Sequence, residues 1–303
     1  MGYLNGKVAI VTGAGRGIGR GEALMLAAEG AAVVVNDLGS ANDGQGEDIG
    51  PAAEVVAEIT AAGGRAVVDG SDISTWAGGE AVVKRALAEF GRLDILVCNA
   101  GIVRDRMIFN RGESEWDAVV AVHLKGHVSP TRFASEHWRH VAKETGKPSG
   151  GRIVYTSSHV GLFGNVGQTN YAAAKAAIAL LGVAVARELA PYGVTVNAIC
   201  PGAKTRLVEA AFPGFGDPPA GGFDPLHPDN IGPFVAYLCS DAAAHISGQT
   251  FGVHGGNVEL LQGWSSVSSI DKGDRWTVEE LVERVPEVFG DRPTGPPANL
   301  SDL

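Results

Sequence analysis

The 303-residue sequence predicts an α/β protein built on a doubly wound parallel sheet of about seven strands with helices on both faces. Two observations carry this. Short runs of Val, Ile and Ala alternate along the chain with longer Ala/Leu-rich segments of helical period. The short runs are apolar at almost every position, as in strands covered on both sides. No flexible linker breaks the alternation, so residues 1–256 read as one domain and 257–303 as a C-terminal extension packed on it.

The first strand, Lys7 to Val11, runs into Thr12-Gly-Ala-Gly-Arg-Gly-Ile-Gly19 and then a helix through Glu22 to Glu29. Glycines here let the chain turn sharply and approach a pyrophosphate, whose charge meets the positive helix end. Gly13, Arg16, Gly17, Ile18 and Gly19 are therefore candidate dinucleotide contacts. The next strand, Ala32 to Val35, ends in Asn36-Asp37, placing a carboxylate where the adenosine ribose belongs. Asp37 accepts from a 2′-OH and repels a 2′-phosphate, which favours NAD over NADP. Arg16 pulls the other way, with less weight.

Gly39 to Gly50 is a polar loop, and Pro51 opens a helix to Ala62. A strand Arg65 to Val68 leads to Asp72-Ile73. Ser74 or Thr75 caps a helix to Phe90, and Asp94 to Val97 is the next strand. After Cys98-Asn99-Ala100-Gly101 comes a loop with Arg104, Arg106 and Arg111, then a helix capped near Ser114 that runs past His137. Strands follow at Gly151 to Ser157 and Val194 to Ile199, the latter stopped by Pro201-Gly202, with a helix from Tyr171 to Leu189 between them. Phe212 to Pro233 is dense in Gly and Pro and reads as a substrate loop. A short helix, Ile231 to Ser240, and the strand Gln249 to Val253 close the sheet. In the extension, Val258 to Leu261 is apolar and Trp276 to Phe289 has helical spacing with Thr277 as its cap.

From Ala172 to Ala186 the only charge is Lys175. A helix this apolar needs cover on two faces, one on the sheet and one on a symmetry mate, which predicts a homodimer or homotetramer. It is too short and too polar for a membrane span. A net charge of -10 excludes a broad nucleic-acid or membrane footprint. Cys98, Cys200 and Cys239 lack metal-ligand spacing and read as buried thiols in a reducing compartment, and no His cluster suggests a metal. Without a signal peptide or a Ser-Lys-Leu ending at Ser301-Asp302-Leu303, the cytoplasm is expected.

Tyr171 and Lys175 are four residues apart, so their side chains share a helix face. A free Tyr titrates near about 10, and a base at neutral pH needs that lowered by about 3 units, roughly 4 kcal/mol, which a nearby ammonium helps to supply. Ser158 stands at a strand end, where its hydroxyl can hold the substrate oxygen.

With Thr12-Gly-x-x-x-Gly-x-Gly19, Asp72, Asn99-Ala-Gly101, Ser158, Tyr171-x-x-x-Lys175 and Pro201-Gly202, residues 5–256 resemble the short-chain dehydrogenase/reductase family. The resemblance implies a Rossmann-type fold and an NAD-dependent oxidoreductase acting on secondary alcohols. It makes Tyr171 the general acid/base, Lys175 a nicotinamide-ribose ligand as well, and Ser158 the orienting hydroxyl. Asp72 would meet the adenine and Thr205 the carboxamide, with Ile73, Asn99, Ala100, Gly101, Pro201 and Gly202 as further cofactor contacts.

Two positions depart from the family. Cys98 stands where its first Asn is usual, and His123 where an Asn usually holds a relay water. His123 is either a substitute relay group or a helix residue satisfied by a backbone carbonyl.

The stretches Gly101-Ile-Val-Arg-Asp-Arg106, Val122-His-Leu-Lys-Gly126 and Gly164-Asn-Val-Gly-Gln-Thr-Asn-Tyr171 resemble the dehydrogenase part of multifunctional enzyme type 2 and actinobacterial relatives. That implies a 3-hydroxyacyl-CoA substrate, including a steroid side-chain thioester, with Asn165, Gln168 and Arg104 as substrate contacts. Alternatives are a 17β-hydroxysteroid dehydrogenase, an NADPH-dependent 3-oxoacyl carrier-protein reductase disfavoured by Asp37, and an NAD-sensing protein without turnover.

Overall fold

A computed structural model describes residues 2–206 and 222–295. Strands β1 (Val8–Thr12), β2 (Ala32–Asn36), β3 (Arg65–Asp69), β4 (Ile95–Cys98), β5 (Arg152–Thr156), β6 (Thr195–Gly202), β7 (Thr250–His254) and β8 (Asn257–Leu261) form one sheet. Their order is β3-β2-β1-β4-β5-β6-β7-β8. All pairs are parallel except β7 with β8, where Thr250 faces Leu261 in an antiparallel hairpin. Because β1 pairs with β2 on one side and β4 on the other, the chain leaves in opposite directions at β1. A crevice opens there beyond the carboxyl ends of the strands, which is where open α/β sheets bind ligands.

Helices α1 (Gly17–Ala28), α2 (Gly50–Ala61), α3 (Trp76–Phe90), α4 (Glu113–Val120), α5 (Gly126–Thr145), α6 (His159–Phe163), α7 (Thr169–Leu189) and α8 (Gly232–Cys239) cover the two faces. One buried cluster lies under α1, α2 and α8, and the other under α3, α5 and α7. Thr75 caps α3 by accepting from the Gly78 N–H, and Gly91 ends that helix at φ 75°. That angle is left-handed backbone that glycine adopts without strain.

Three expected boundaries move. The helix expected near Ser114 starts at Glu113, where Glu115 accepts the Gly112 N–H, and it is broken by a π turn over Ala121–Lys125 before α5. Such turns insert a residue and re-aim backbone carbonyls. Helix α7 begins at Thr169, two residues ahead of the tyrosine. The apolar stretch Val258 to Leu261 is a strand, so the sheet extends past residue 256 and the compact unit ends at Leu261. A lone edge segment of this length has no periodicity to separate it from tail.

The remaining unit, from Gln262 on, holds α9 (Val278–Phe289). Thr277 caps it with Glu280 in a reciprocal box, their bonds measuring 3.2 and 2.7 Å. Lys272 pairs with Glu280 as well, and together these contacts hold its carboxyl down at about 2. The expected substrate loop lies outside the described residues up to position 221. No helix among the described residues is long and apolar enough to cross a membrane.

Candidate active site

The carboxyl ends of β1, β2 and β4 build the first half of the crevice. A Cβ on Gly13 would sit 2.7 Å from the Ala100 Cα, and one on Gly19 would sit 2.2 Å from the Gly13 carbonyl. Both glycines are therefore demanded by packing. At Gly17 the nearest atom to such a Cβ is in the Thr205 side chain, 3.6 Å away, so this face of the loop is open. Helix α1 starts there with no side-chain cap and no acid in its first turn. Open N–H groups and an uncompensated positive helix end fit an incoming pyrophosphate.

Asp37 is fixed beside that loop, its two carboxylate oxygens accepting from the Gly15 and Gly39 N–H groups at 2.7 Å each. Arg206 feels both Arg16 and Asp37, so cations and a carboxylate meet at the ribose end. Asp72 accepts the Ser74 N–H at the foot of α3, and Ile73 is buried against α5 through the bond from Ser129 to its carbonyl. Asn99 ties the end of β4 to β1. Its side chain donates to the carbonyls of Thr12 and Gly13, both at 3.2 Å, while the Thr12 hydroxyl accepts from the N–H groups of Asn99 and Ala100. Cys98 itself is buried in the core.

The second half centres on β5 and α7. Ser158 follows β5 and caps α6, its hydroxyl accepting the Val160 N–H at 3.2 Å. Lys175 is buried, donates to the Thr156 carbonyl at 2.6 Å, and lies with its Nζ 5.5 Å from the centre of the Tyr171 ring. The sequence thus brings Ser158, Tyr171 and Lys175 together as expected. The electrostatics differ from expectation. Burial pushes Tyr171 up to about 12, opposed by its hydrogen bond with Ser158, and burial pulls Lys175 down to about 7. Desolvation is the largest cause for both groups in the chain alone.

His123 lies on the π turn with its ring edge-on to Tyr171, centroids 5.1 Å apart. Its Nε2 is 2.7 Å from the Ile102 carbonyl, and burial holds the ring well below the ordinary histidine range. A Cβ on Gly101 would meet this ring at 2.4 Å. Nδ1 is buried without a hydrogen-bond partner.

The residues expected to touch substrate form a braced pair of loops. Gln168 donates to Asp105 at 2.9 Å and accepts from Asn165 at 2.9 Å. Arg111 ties the loops together, donating to the Thr169 hydroxyl and to the carbonyls of Arg104, Arg106 and Gly167. Arg104 is held on the carbonyls of Asp43 and Ser114, and Arg106 pairs with Glu115, so these guanidiniums brace the chain. The loop after β2 joins this brace: Asn42 accepts the Val103 N–H and donates to the Arg206 carbonyl.

This geometry has known counterparts. Residues 7–213 match the family model described as short chain dehydrogenase. The chain belongs to that family. It is 46% identical to the hydroxyacyl-CoA dehydrogenase ChsB1 of Mycobacterium tuberculosis over 99% of this chain and 94% of that protein. It is 40% identical to peroxisomal multifunctional enzyme type 2 of Drosophila melanogaster over 89% of this chain, which spans 41% of that longer protein. A crystal structure of a short chain dehydrogenase from Mycobacterium avium superposes with a TM-score of 0.86 at 48% identity, covering 97% of this chain and 99% of that one.

Within this family frame, sequence reasoning gave no role of their own to Thr12, Asp105 and Asn170. Asn170 is fully buried and donates to the carbonyls of Arg104 and Glu115 while accepting the Tyr171 N–H. Its place beside the tyrosine was the available signal. Asp105 was hidden between two arginines.

Proposed function

We propose that the chain is an NAD-dependent dehydrogenase that oxidises the secondary hydroxyl of 3-hydroxyacyl-CoA thioesters. The observation that carries the substrate class is an apolar rim. Met107, Ile108 and Phe109 on one loop and Phe163 and Val166 on the other are all exposed, and Arg111 and the bond from the Arg106 N–H to the Gly167 carbonyl tie those loops side by side. Exposed apolar clusters of this kind mark binding surfaces for apolar ligands. An acyl chain suits this rim, and the name of the Mycobacterium tuberculosis relative points the same way.

In this reading Ser158 holds the carbinol oxygen and Tyr171 takes its proton as the hydride leaves. Lys175 holds a proton beside Tyr171 and its Nζ is fixed on the Thr156 carbonyl. When bound, a nicotinamide cofactor held by the glycine loop, Asp37 and Lys175 would supply the hydride acceptor. Lowering the tyrosine from about 12 is thus left to the assembled site. His123 is a positioning residue, since its Nε2 is engaged by the Ile102 backbone and its ring fills the space beside Gly101.

NAD is favoured because Asp37 cannot swing away from the ribose end without losing two backbone bonds. A homodimer is favoured by the outward stripe of α7, where Leu180 is 63% exposed. Three buried free thiols suit the cytoplasm.

The test is an NADH-formation screen with both epimers of 3-hydroxyacyl-CoAs, 17β-hydroxysteroids and other secondary alcohols, repeated with NADP. Turnover confined to steroids, or faster with NADP, overturns the respective part. No turnover with any alcohol while NAD binds would make the chain a sensor.

A further inference from the structure

Tyr171 and Lys175 stand one turn apart on α7, and the two ends of that turn are held by different means. At Lys175 the hold runs through backbone to β5 and α6. The Ser157 hydroxyl donates to the Lys175 carbonyl at 2.7 Å, and Nζ donates to the Thr156 carbonyl. A Cβ on Gly161 would lie 2.6 Å from the Lys175 carbonyl carbon and 2.6 Å from the Ala176 nitrogen, so α6 and α7 meet backbone to backbone there. The Gly161 N–H donates to the Ser158 carbonyl at 2.9 Å, which fixes Ser158 and Lys175 relative to one another.

At Tyr171, about 6 Å along the helix, the hold is a side chain. Helix α7 has no side-chain bond at its N-cap. Asn170 is fully buried inside the first turn: its Oδ1 accepts the Tyr171 N–H at 2.9 Å, and its Nδ2 donates to the carbonyls of Glu115 and Arg104 at 3.1 and 3.3 Å. Both amide hydrogens are thus spent on fixing one turn to the far wall of the cleft. The Arg104 carbonyl belongs to the loop that carries Met107, Ile108 and Phe109, so rim and turn share this fastening.

We propose that Asn170 is a positioning residue that sets the Tyr171 end of α7 against the fixed pair Ser158 and Lys175, and so sets the approach of the phenol to the carbinol. This rests on the proposed role of Tyr171. A misplacement of about 1 Å lowers turnover by up to about a hundredfold. The Lys175 end keeps its own contacts when Asn170 is changed, so the cofactor side of the site stays as it is.

Asn170→Ala removes the fastening. With each kcat taken per NAD-binding site, the expected result is a fall of about ten- to a hundredfold, while KM for the thioester and the dissociation constant of NAD stay within about threefold of wild type. Asn170→Asp is nearly isosteric, and its carboxyl would lie buried against two carbonyl oxygens, which hold it protonated above the usual carboxylate range. Protonated, it donates to one carbonyl and still accepts the Tyr171 N–H. Ionised, it repels both carbonyls. The ratio of its kcat to the wild-type kcat should therefore fall by about tenfold or more between about pH 6 and about pH 9.

Hydrogen exchange read by mass spectrometry needs no turnover: in Asn170→Ala, exchange should speed up over 169–172 and 104–106 and keep the wild-type rate over 176–182. An unchanged kcat in both variants overturns the proposal. So does a loss of NAD affinity or a rise in KM as large as the fall in kcat, since either means that the whole cleft has loosened. Should Asn170→Ala fail to fold, the pH course of Asn170→Asp decides. If wild type oxidises no alcohol, the proposed reaction falls, and exchange that changes evenly across 169–182, or not at all, overturns the role of Asn170 by itself.

Discussion

At the glycine loop, backbone packs on backbone: a Cβ at Gly19 would fall 2.2 Å from the Gly13 carbonyl, and Asp37 is held by two N–H groups. Across the crevice, the loops before Tyr171 are held by side chains reaching over long sequence distances, with Arg111 contacting Thr169 and Gly167. The first half tolerates almost no change in shape, as the invariant cofactor proposed for it requires. The second is set by a few polar braces, so its shape can change while the proposed chemistry stays. The half proposed to read a substrate is built from replaceable parts.

The largest effect should come from the group both halves serve. Tyr171→Phe should lower kcat by about 10²–10⁴-fold, the range for loss of a general acid/base. Calorimetry with NAD should show an affinity within about threefold of wild type. A parallel loss of NAD binding would mean that the tyrosine holds the cleft together, and that the two halves are less separable than their contacts indicate.

Gly19→Ala tests the backbone half. The added methyl meets a carbonyl that cannot move without breaking the β1 turn, and overpacking of this kind costs about 1–3 kcal/mol. NAD affinity should fall by at least about tenfold, with a lower thermal midpoint. Rates extrapolated to saturating NAD should recover most of the wild-type value.

The same contrast explains what could be read from sequence. Glycine spacing, the strand ends and the pair Tyr171 and Lys175 are local patterns with a backbone cause, and they located the fold, the crevice and the helix face that Tyr171 and Lys175 share. The use of Arg104 and Arg106 was not legible, because a guanidinium in a loop sequence does not reveal whether it meets a carbonyl, a carboxylate or a ligand. That the Asn99 side chain ties the end of β4 to β1 needed the distance to Thr12. The direction in which Tyr171 and Lys175 shift depends on burial, which periodicity does not report. The strand at Asn257–Leu261 is short and mostly exposed, so only its pairing with β7 defines it.

Arg111→Lys tests the braced half. A lysine has one centre and cannot reproduce contacts to four separate acceptors. We expect kcat/KM for the thioester to drop about tenfold, mainly through KM, while NAD affinity is unchanged. Steady-state kinetics with both substrates varied gives the split. A fall in NAD affinity of the same size would show that the Asn42 and Arg104 contacts carry strain into the cofactor half.

The smallest effect on activity, and the sharpest on stability, concerns Glu22. It points from α1 into the core beneath the cofactor half, is fully buried, and neither oxygen has a hydrogen-bond partner. Burial raises its carboxyl from 4.5 to about 8, so it is neutral in the folded protein at pH 7. Below about pH 4.5 the folded and unfolded chains both hold the proton and no penalty exists. As pH rises from there to 8, the unfolded chain releases a proton that the folded chain keeps, and stability falls. Above 8 both forms are ionised and the loss levels off, at no more than about 5 kcal/mol.

Glu22→Gln removes the titration. Its thermal midpoint should exceed wild type by a margin that widens from pH 5 to pH 8, while kcat and NAD affinity at pH 7 stay level. A constant margin would mean that Glu22 is ionised in the fold and meets a partner inside the core. The rigidity of the backbone half would then depend on a buried charge as much as on its glycines.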